Sequence, residues 1–391
     1  MTTDLAMPLD ENHDDLRDAV RAICAKYPAR YWRDLEDVHG YPTDFINELA
    51  EAGFLACLIP EEYGGSGLPL RAAAVILETI NESGCSASQG HAQMYIMGTL
   101  LRHGSEEQKR RYLPDIAAGR LRLQAFGVTE PTTGSDTTQI KTRAVRTADG
   151  YVINGQKVWT SRALHSDLML LLARTTPVQE CATRDAGLSV FLIDMRNQPE
   201  GALDIRPLDA MINHNTTEVF FNDLHVPADA LIGEEGKGFR YILDSLNAER
   251  ILVASEAIGD GRFFLKRAVH YANERKVFGR SIGKNQGIQF PLARSYVELE
   301  AADVLARQAA ALFAAGRPCG SQANAAKLLA SEACWRAAEA AMQTLGGFSY
   351  AREYDVERKW RECRVYQIAP VSTNLILAYF ANKVLGLEKS Y

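Results

Sequence analysis

The chain has 391 residues, 47% hydrophobic and 24% charged, with a formal net charge of −6. That length exceeds one ordinary core and calls for two or three packed lobes, while the acidic balance excludes a phosphate-gripping nucleic-acid surface. The longest apolar runs, such as LMLLLA at 168–173, are far too short to span a bilayer, so no membrane insertion is expected.

The opening MTTDLAMPLDENHDD is acidic and polar, unlike a secretory or mitochondrial presequence, and a cytoplasmic location is expected. Cys24, Cys57, Cys85, Cys181, Cys319, Cys334 and Cys363 form an odd set with no Cys-x-x-Cys pair. They read as reduced, mostly buried thiols, with neither a disulfide framework nor a metal site.

From about Asp10 to Arg122 the hydrophobic period is helical. An amphipathic helix is stopped by Gly53, and LPLRAAAVILETINESG and HAQMYIMGTLLRHGSEEQKRRYLPDIAAG supply further helices. At about Leu123 the texture changes to short β-like runs (LQAFGVTE, LMLLLART, LSVFLIDM, LDIRPL, TEVFFNDLHVP). Turn signals separate them at Asp149-Gly150, Asn154-Gly155, Pro199-Glu200-Gly201 and Asn222-Asp223. The helical period returns at Gly236. One long helix with candidate breaks at Gly259 and Gly261 is followed by helices over 286–315, 319–345 and 370–385. Pro370 suits the first turn of the last helix and Gly386 its end. The division expected is 1–122 helical, 123–235 β, and 236–391 four-helix.

Several stretches carry chemistry. FGVTEPTTGSD (126–136) leaves a β-run as a loop rich in backbone donors and hydroxyls, suited to a ring edge or phosphate, or else an ordinary polar turn. Trp159 and Ser161 stand two apart on a strand, as flavin contacts or as a core tryptophan and its neighbour. YANERKVFGRSIGKNQGIQF adds Arg275, Phe278, Gly279, Gln286 and Gln289, and QTLGGFSY adds Gln343, Gly346 and Gly347. A double glycine in a helix-forming segment costs about 1 kcal/mol per residue and marks a close approach.

In this order and spacing, over roughly residues 15–386, these pieces resemble the acyl-CoA dehydrogenase family. GVTEPTTGSD is similar to its flavin-loop signature and QTLGGFSYAREYDVERKWRE to its C-terminal one. Thr133 replaces a usually smaller residue and Ser349 a usual glycine.

The resemblance implies an α+β multidomain fold: an N-terminal α-helical domain, a central β-barrel-like domain and a C-terminal four-helix-bundle domain. It implies a homotetramer with one FAD per subunit, an acyl-CoA or acyl-carrier-protein thioester as substrate, and an electron-transfer flavoprotein as acceptor. By position, Phe126, Val128, Thr129 and Ser135 line the flavin and thioester site, while Trp159 and Ser161 contact the isoalloxazine. Arg275, Phe278, Gln286, Gln343, Gly346 and Gly347 hold the adenine-diphosphate end across a subunit interface, so a monomer should bind FAD poorly. Ser372 and Asn374 complete the flavin pocket.

The family reaction removes a proton α to a thioester and passes the β-hydride to flavin N5, which requires a carboxylate and donors on the thioester oxygen. In the common arrangement a glutamate stands where RVYQIAPVSTN places Pro370, which can neither take a proton nor donate an N–H. In the isovaleryl and long-chain branches the base lies on an earlier helix, and the matching residue is Glu249. The residues flag Glu249 independently, because it continues the stripe of Phe239, Ile242, Leu243, Leu246, Val253 and Ala257. A carboxylate there needs either an ion-pair partner or a task. Asn247, Arg250, Pro370, Val371 and Ser135 are then expected to face the substrate, with a structural or solvent role for Arg250 as the alternative. Two other readings stand beside this one. A flavin monooxygenase or oxidase on the same fold would use the unusual Pro370 and the SRALH stretch with His165. A non-catalytic flavoprotein would bind thioesters or a partner without turnover, and Glu249 on an otherwise apolar stripe weighs against it.

Overall fold

The computed structural model describes residues 13–389; most of the acidic, polar opening stretch, with its expected lack of a presequence, lies outside them. In chain order the helices are α1 (Asp14–Cys24), α2 (Ala29–Asp37), α3 (Thr43–Glu51), α4 (Leu70–Glu82), α5 (Ser88–His103) and α6 (Glu106–Ala117). The strands β1 (Leu123–Gly127), β2 (Arg143–Arg146), β3 (Gly150–Ser161), β4 (Leu168–Arg174), β5 (Leu188–Asp194), β6 (Leu203–Pro207), β7 (Thr216–Pro227) and β8 (Leu231–Ile232) follow. The chain then forms α7 (Gly238–Glu274), the hairpin β9 (Lys276–Val277) and β10 (Arg280–Ser281), α8 (Gln286–Ala314), α9 (Gly320–Leu345), α10 (Val356–Cys363) and α11 (Thr373–Tyr379).

By packing, the chain forms two compact units, each interleaved in sequence. One unit comprises Glu36–Leu68 and Ser88–Leu246. Its eight strands form one sheet in the order β6-β7-β3-β2-β4-β5-β8, with β1 parallel to β4, which is the form the expected barrel-like lobe takes. Its helices end on local signals. Gly53 takes φ +78 just after α3, and Ser105 and Gln108 cap α6 reciprocally.

Two of the four expected turns are not turns. Asn154-Gly155 lies inside β3 and Asn222-Asp223 inside β7, where the register slips between Ile153 and Gly155. Asn154 Nδ2 donates to Asp223 Oδ1 at 2.9 Å and Asp223 N–H donates back to Asn154 Oδ1 at 3.0 Å. The two turn-like dipeptides thus satisfy each other across a β-bulge. At Gly155, with φ +152, an added Cβ would lie 2.4 Å from Thr142, so the bulge demands glycine.

Among the described residues, the second unit comprises 13–35, Pro69–Ala87 and 247–389. Its core is alanine-rich and packs α7, α8 and α9 around Ile258, Phe264, Leu299 and Ala337. The long α7 runs unbroken through Gly259 and Gly261. A Cβ at Gly259 would meet the Glu78 carbonyl at 2.2 Å and one at Gly261 would meet Leu299 at 2.4 Å, so both glycines serve close packing rather than a break. The helix α10 had no counterpart in the sequence reading, because its inward residues include Arg358 and Lys359. Arg358 pairs with Asp355 at 2.8 Å and Lys359 with Asp260 at 2.6 Å, which satisfies both charges. The last helix begins at Thr373, with the Ser372 side chain capping Leu375 N–H. Pro370 therefore precedes the helix instead of opening it.

Candidate active site

In the sheet-bearing unit, the proposed ring-end residues are set by β1, its exit loop and the far end of β3. Phe126 and Val128 are half-buried against the core, and Phe126 meets Tyr95 edge-to-face at 5.8 Å. Val158 N–H donates to the Thr129 carbonyl at 2.9 Å, which brings this loop beside Trp159. A second bulge, between Lys157 and Thr160, gives Trp159 a left-handed φ of +61 and leaves it 63% exposed. Trp159 is therefore not a core tryptophan. Ser161 Oγ lies 3.2 Å from Thr216 Oγ1, and Ser135 is exposed further along the loop.

Behind that loop lies a pair that sequence reasoning missed. Lys157 Nζ, fully buried, reaches Glu130 Oε1 at 2.9 Å and the Val128 carbonyl at 2.9 Å. Glu130 also accepts from the backbone N–H groups of Lys141 and Thr142. Burial alone would raise the Glu130 pKa, but Lys157 and these donors hold it below the usual carboxylate value. The signal available in the sequence was a lysine on an inward position of an otherwise strand-like run.

In the second unit, Arg275 lies 5.9 Å above the Phe348 ring. Arg275, Leu345 and Phe348 line one cleft of about 560 Å³, the last two being the residues that flank the Gly346-Gly347 pair in sequence. The glycines follow α9 and do not interrupt it. Gly346 takes φ +58, and a Cβ at either glycine would meet nothing of this chain within 4 Å. Phe278 and Gly279, both at positive φ, turn the β9–β10 hairpin and leave Phe278 fully exposed. Gln286, Gln343 and Asn374 are exposed and Ser372 is half-buried.

Glu249 is 6% exposed on α7; of the stripe expected around it, Ile242, Val253 and Ala257 are buried whereas Leu243 is 42% exposed. Arg250 Nη1 donates to Asn247 Oδ1 at 2.8 Å, and burial lowers the Arg250 pKa while Glu249 opposes that. A third charged group, Lys327 on α9, is fully buried and donates to the Val371 carbonyl at 2.7 Å. Burial, assisted by Arg250 and opposed by Glu249, brings the Lys327 pKa down to about 8. Lys327 is therefore bonded to the segment holding the half-buried Pro370 and Val371, while the charges of Glu249 and Arg250 act on its ammonium. Its sequence signal was present: it falls four residues after Ala323 and three before Ala330, on the buried stripe of α9. In the sheet-bearing unit, His165 stacks on Tyr41 at 4.7 Å.

The residues present fit FAD at two points. A bulge holds an exposed indole beside a loop fixed by buried charge, and the space over the double glycine is open. Among the described residues no helix is long and apolar enough to cross a membrane.

Three family profiles match the chain: "Acyl-CoA dehydrogenase, N-terminal domain" over residues 10–120, "middle domain" over 125–224 and "C-terminal domain" over 236–377. The acyl-CoA dehydrogenase fadE12 of Mycobacterium bovis is 34% identical, with all of both chains covered. The structure of a glutaryl-coenzyme A dehydrogenase glutaryl-CoA complex superposes with a TM-score of 0.89 at 31% identity, covering 100% of this chain and 98% of the other. A structure described as an electron transferring flavoprotein of Acidaminococcus fermentans gives 0.90 at 31% identity, covering 98% and 100%. The chain belongs to the acyl-CoA dehydrogenase family, and with it to the FAD-dependent oxidoreductases that act on CH–CH bonds.

Proposed function

We propose that this protein dehydrogenates an acyl-CoA thioester between its α and β carbons, with Glu249 as the base. The observation that carries the reading is a carboxylate buried to 6% exposure on α7, with the cations of Arg250 and Lys327 acting in its neighbourhood, while Pro370 occupies the alternative position for a base. In this reading the α C–H bond breaks heterolytically and its proton passes to Glu249, giving the enoyl thioester once the β-hydrogen leaves as hydride. FAD, when bound, supplies the hydride acceptor.

Phe126, Val128, Thr129, Ser135, Trp159 and Ser161 serve the ring end of the cofactor. Arg275, Phe278, Gln286, Gln343, Gly346 and Gly347 serve its adenine-diphosphate end, and Ser372 and Asn374 its pocket. Asn247 and Arg250, with Ser135, Pro370 and Val371, face the thioester and its carrier. The glutaryl-CoA complex at 31% identity supports coenzyme A as carrier, and the similarity to an electron transferring flavoprotein structure supports that class of acceptor. Exposed Phe278, Phe290, Tyr296 and Val297 support assembly with further copies, a homotetramer in this reading.

The test is anaerobic mixing of the FAD-loaded protein with a panel of acyl-CoA thioesters. The expected result is bleaching of the flavin absorbance, an enoyl-CoA product and reoxidation by an electron-transfer flavoprotein. Absence of bleaching across the panel contradicts the reading, and faster reoxidation by oxygen than by the flavoprotein assigns an oxidase instead.

A further inference from the structure

In the proposed reaction the thioester oxygen needs hydrogen-bond donors, and Pro370, placed against the substrate in that reading, has no backbone N–H to offer. The structure holds a candidate replacement two residues on. Lys327 Nζ donates to the Val371 carbonyl at 2.7 Å from α9, and its side chain is fully buried. The Val371–Ser372 peptide is trans, so its N–H points opposite to its C=O. With the carbonyl held toward α9 by a cation, the Ser372 N–H is fixed in the opposite direction, away from α9.

A charge-assisted bond on the carbonyl also polarises the whole peptide unit, which makes its N–H a stronger donor. The charges of Glu249 and Arg250 act on the same ammonium, and α9 meets both α7 and α11 at Gly320, where a Cβ would lie 3.8 Å from Asn247 Oδ1 and from the Tyr379 hydroxyl.

We propose that Lys327 is a positioning residue that fixes the Val371–Ser372 peptide so that the Ser372 N–H donates to the substrate's thioester oxygen, replacing the donor that Pro370 lacks. This rests on the reading of Glu249 as the base of an acyl-thioester dehydrogenase. It assigns Lys327 no proton transfer. Its effect on the reaction runs through the orientation and polarity of one peptide.

Ser372 has φ −63, a value proline adopts, so Ser372→Pro removes the N–H at a tolerant backbone angle. Ser372→Ala is its control, because it loses the same hydroxyl and cap but keeps the N–H. Each FAD-loaded variant is mixed with a wild-type substrate from the acyl-CoA panel, and the thioester C=O stretch of a bound enoyl-CoA is recorded by isotope-edited infrared difference spectroscopy.

Ser372→Ala is expected to keep the wild-type lowering of the C=O frequency. Ser372→Pro is expected to lose it and to reduce flavin about 10²-fold more slowly than Ser372→Ala. Lys327→Met is expected to lose part of the frequency shift and Lys327→Arg to restore it, with acyl-CoA affinity little changed. If Ser372→Pro fails to fold, the Lys327 pair alone decides: an unchanged frequency in Lys327→Met overturns the proposal. Equal frequencies and rates in Ser372→Pro and Ser372→Ala also overturn it while leaving the Glu249 reading intact. No flavin reduction by any acyl-CoA in the wild type removes both.

Discussion

Lys157 and Glu130 form an ion pair of 2.9 Å in which neither side chain is more than 5% exposed. The pair joins the exit loop of β1 to β3 two residues ahead of Trp159, so the position of an exposed indole depends on a buried charge. Removing one partner strands the other, and Lys157→Met is expected to lower unfolding free energy by about 3–5 kcal/mol in urea titrations. Because Glu130 titrates below its ordinary value when folded, its stabilisation is present above the ordinary carboxylate pKa and is lost as pH falls through the lower folded value. Stability should accordingly fall less steeply from neutral to acid pH in Glu130→Gln than in the wild type.

Trp159 is 63% exposed, so its side chain contributes little to the fold. Trp159→Ala is expected to leave stability within about 0.5 kcal/mol of wild type. FAD affinity, measured by fluorescence titration of the apoprotein, should drop up to about tenfold from lost stacking, and Trp159→Phe should recover most of it. Unchanged affinity in Trp159→Ala would remove this residue from the cofactor site.

The two glycines after α9 separate backbone need from open space. Gly346 sits at φ +58 and ψ −132, a region closed to side-chain-bearing residues, and Gly346→Ala should destabilise by about 1–3 kcal/mol. Gly347 has no positive φ and nothing of this chain within 4 Å of an added Cβ. Gly347→Ala should therefore fold normally yet retain FAD poorly through gel filtration; full retention would show that the cofactor does not pass there.

With Lys327 at about 8, its ammonium is intact at neutral pH and lost above it. Arg250 and Glu249 of α7 are the charged groups that act on it, the first promoting that loss and the second opposing it. Flavin reduction is expected to fall about tenfold as Lys327 loses its charge, the difference between a charge-assisted and a neutral hydrogen bond. The folded pKa lies below the unfolded value of 10.5, so the folded state binds fewer protons between pH 8 and 10.5 and this group's contribution to stability rises there. The loss of rate at this group is thus distinct from unfolding. Lys327→Arg, which stays charged, should remove the alkaline limb in stopped-flow measurements.

The parts of the fold legible in the sequence were those where one local rule acts without competition. Gly53 after α3 and the polar turn around Gly201 read correctly because nothing else in the chain claims those residues. Asn154-Gly155 and Asn222-Asp223 misread as turns because each is completed by the other, a pairing of strands far apart in sequence. Pro370 read as a helix start because proline satisfies that role, whereas the actual cap is the Ser372 hydroxyl. At the site, Glu249 was visible as a carboxylate on an apolar stripe. Lys157 and Lys327 stand on inward positions just as Glu249 does, but what each one holds, Glu130 27 residues away and the Val371 carbonyl 44 residues away, shows only in the folded chain.

In the proposed reaction Glu249 takes the α-proton. Stopped-flow flavin reduction of FAD-loaded wild type and Glu249→Gln by the same acyl-CoA tests it most directly, because glutamine preserves shape and removes only the basic oxygen. The expected result is a loss of about 10²–10⁴-fold in the reduction rate with FAD content unchanged. Reduction of Glu249→Gln at the wild-type rate would contradict it.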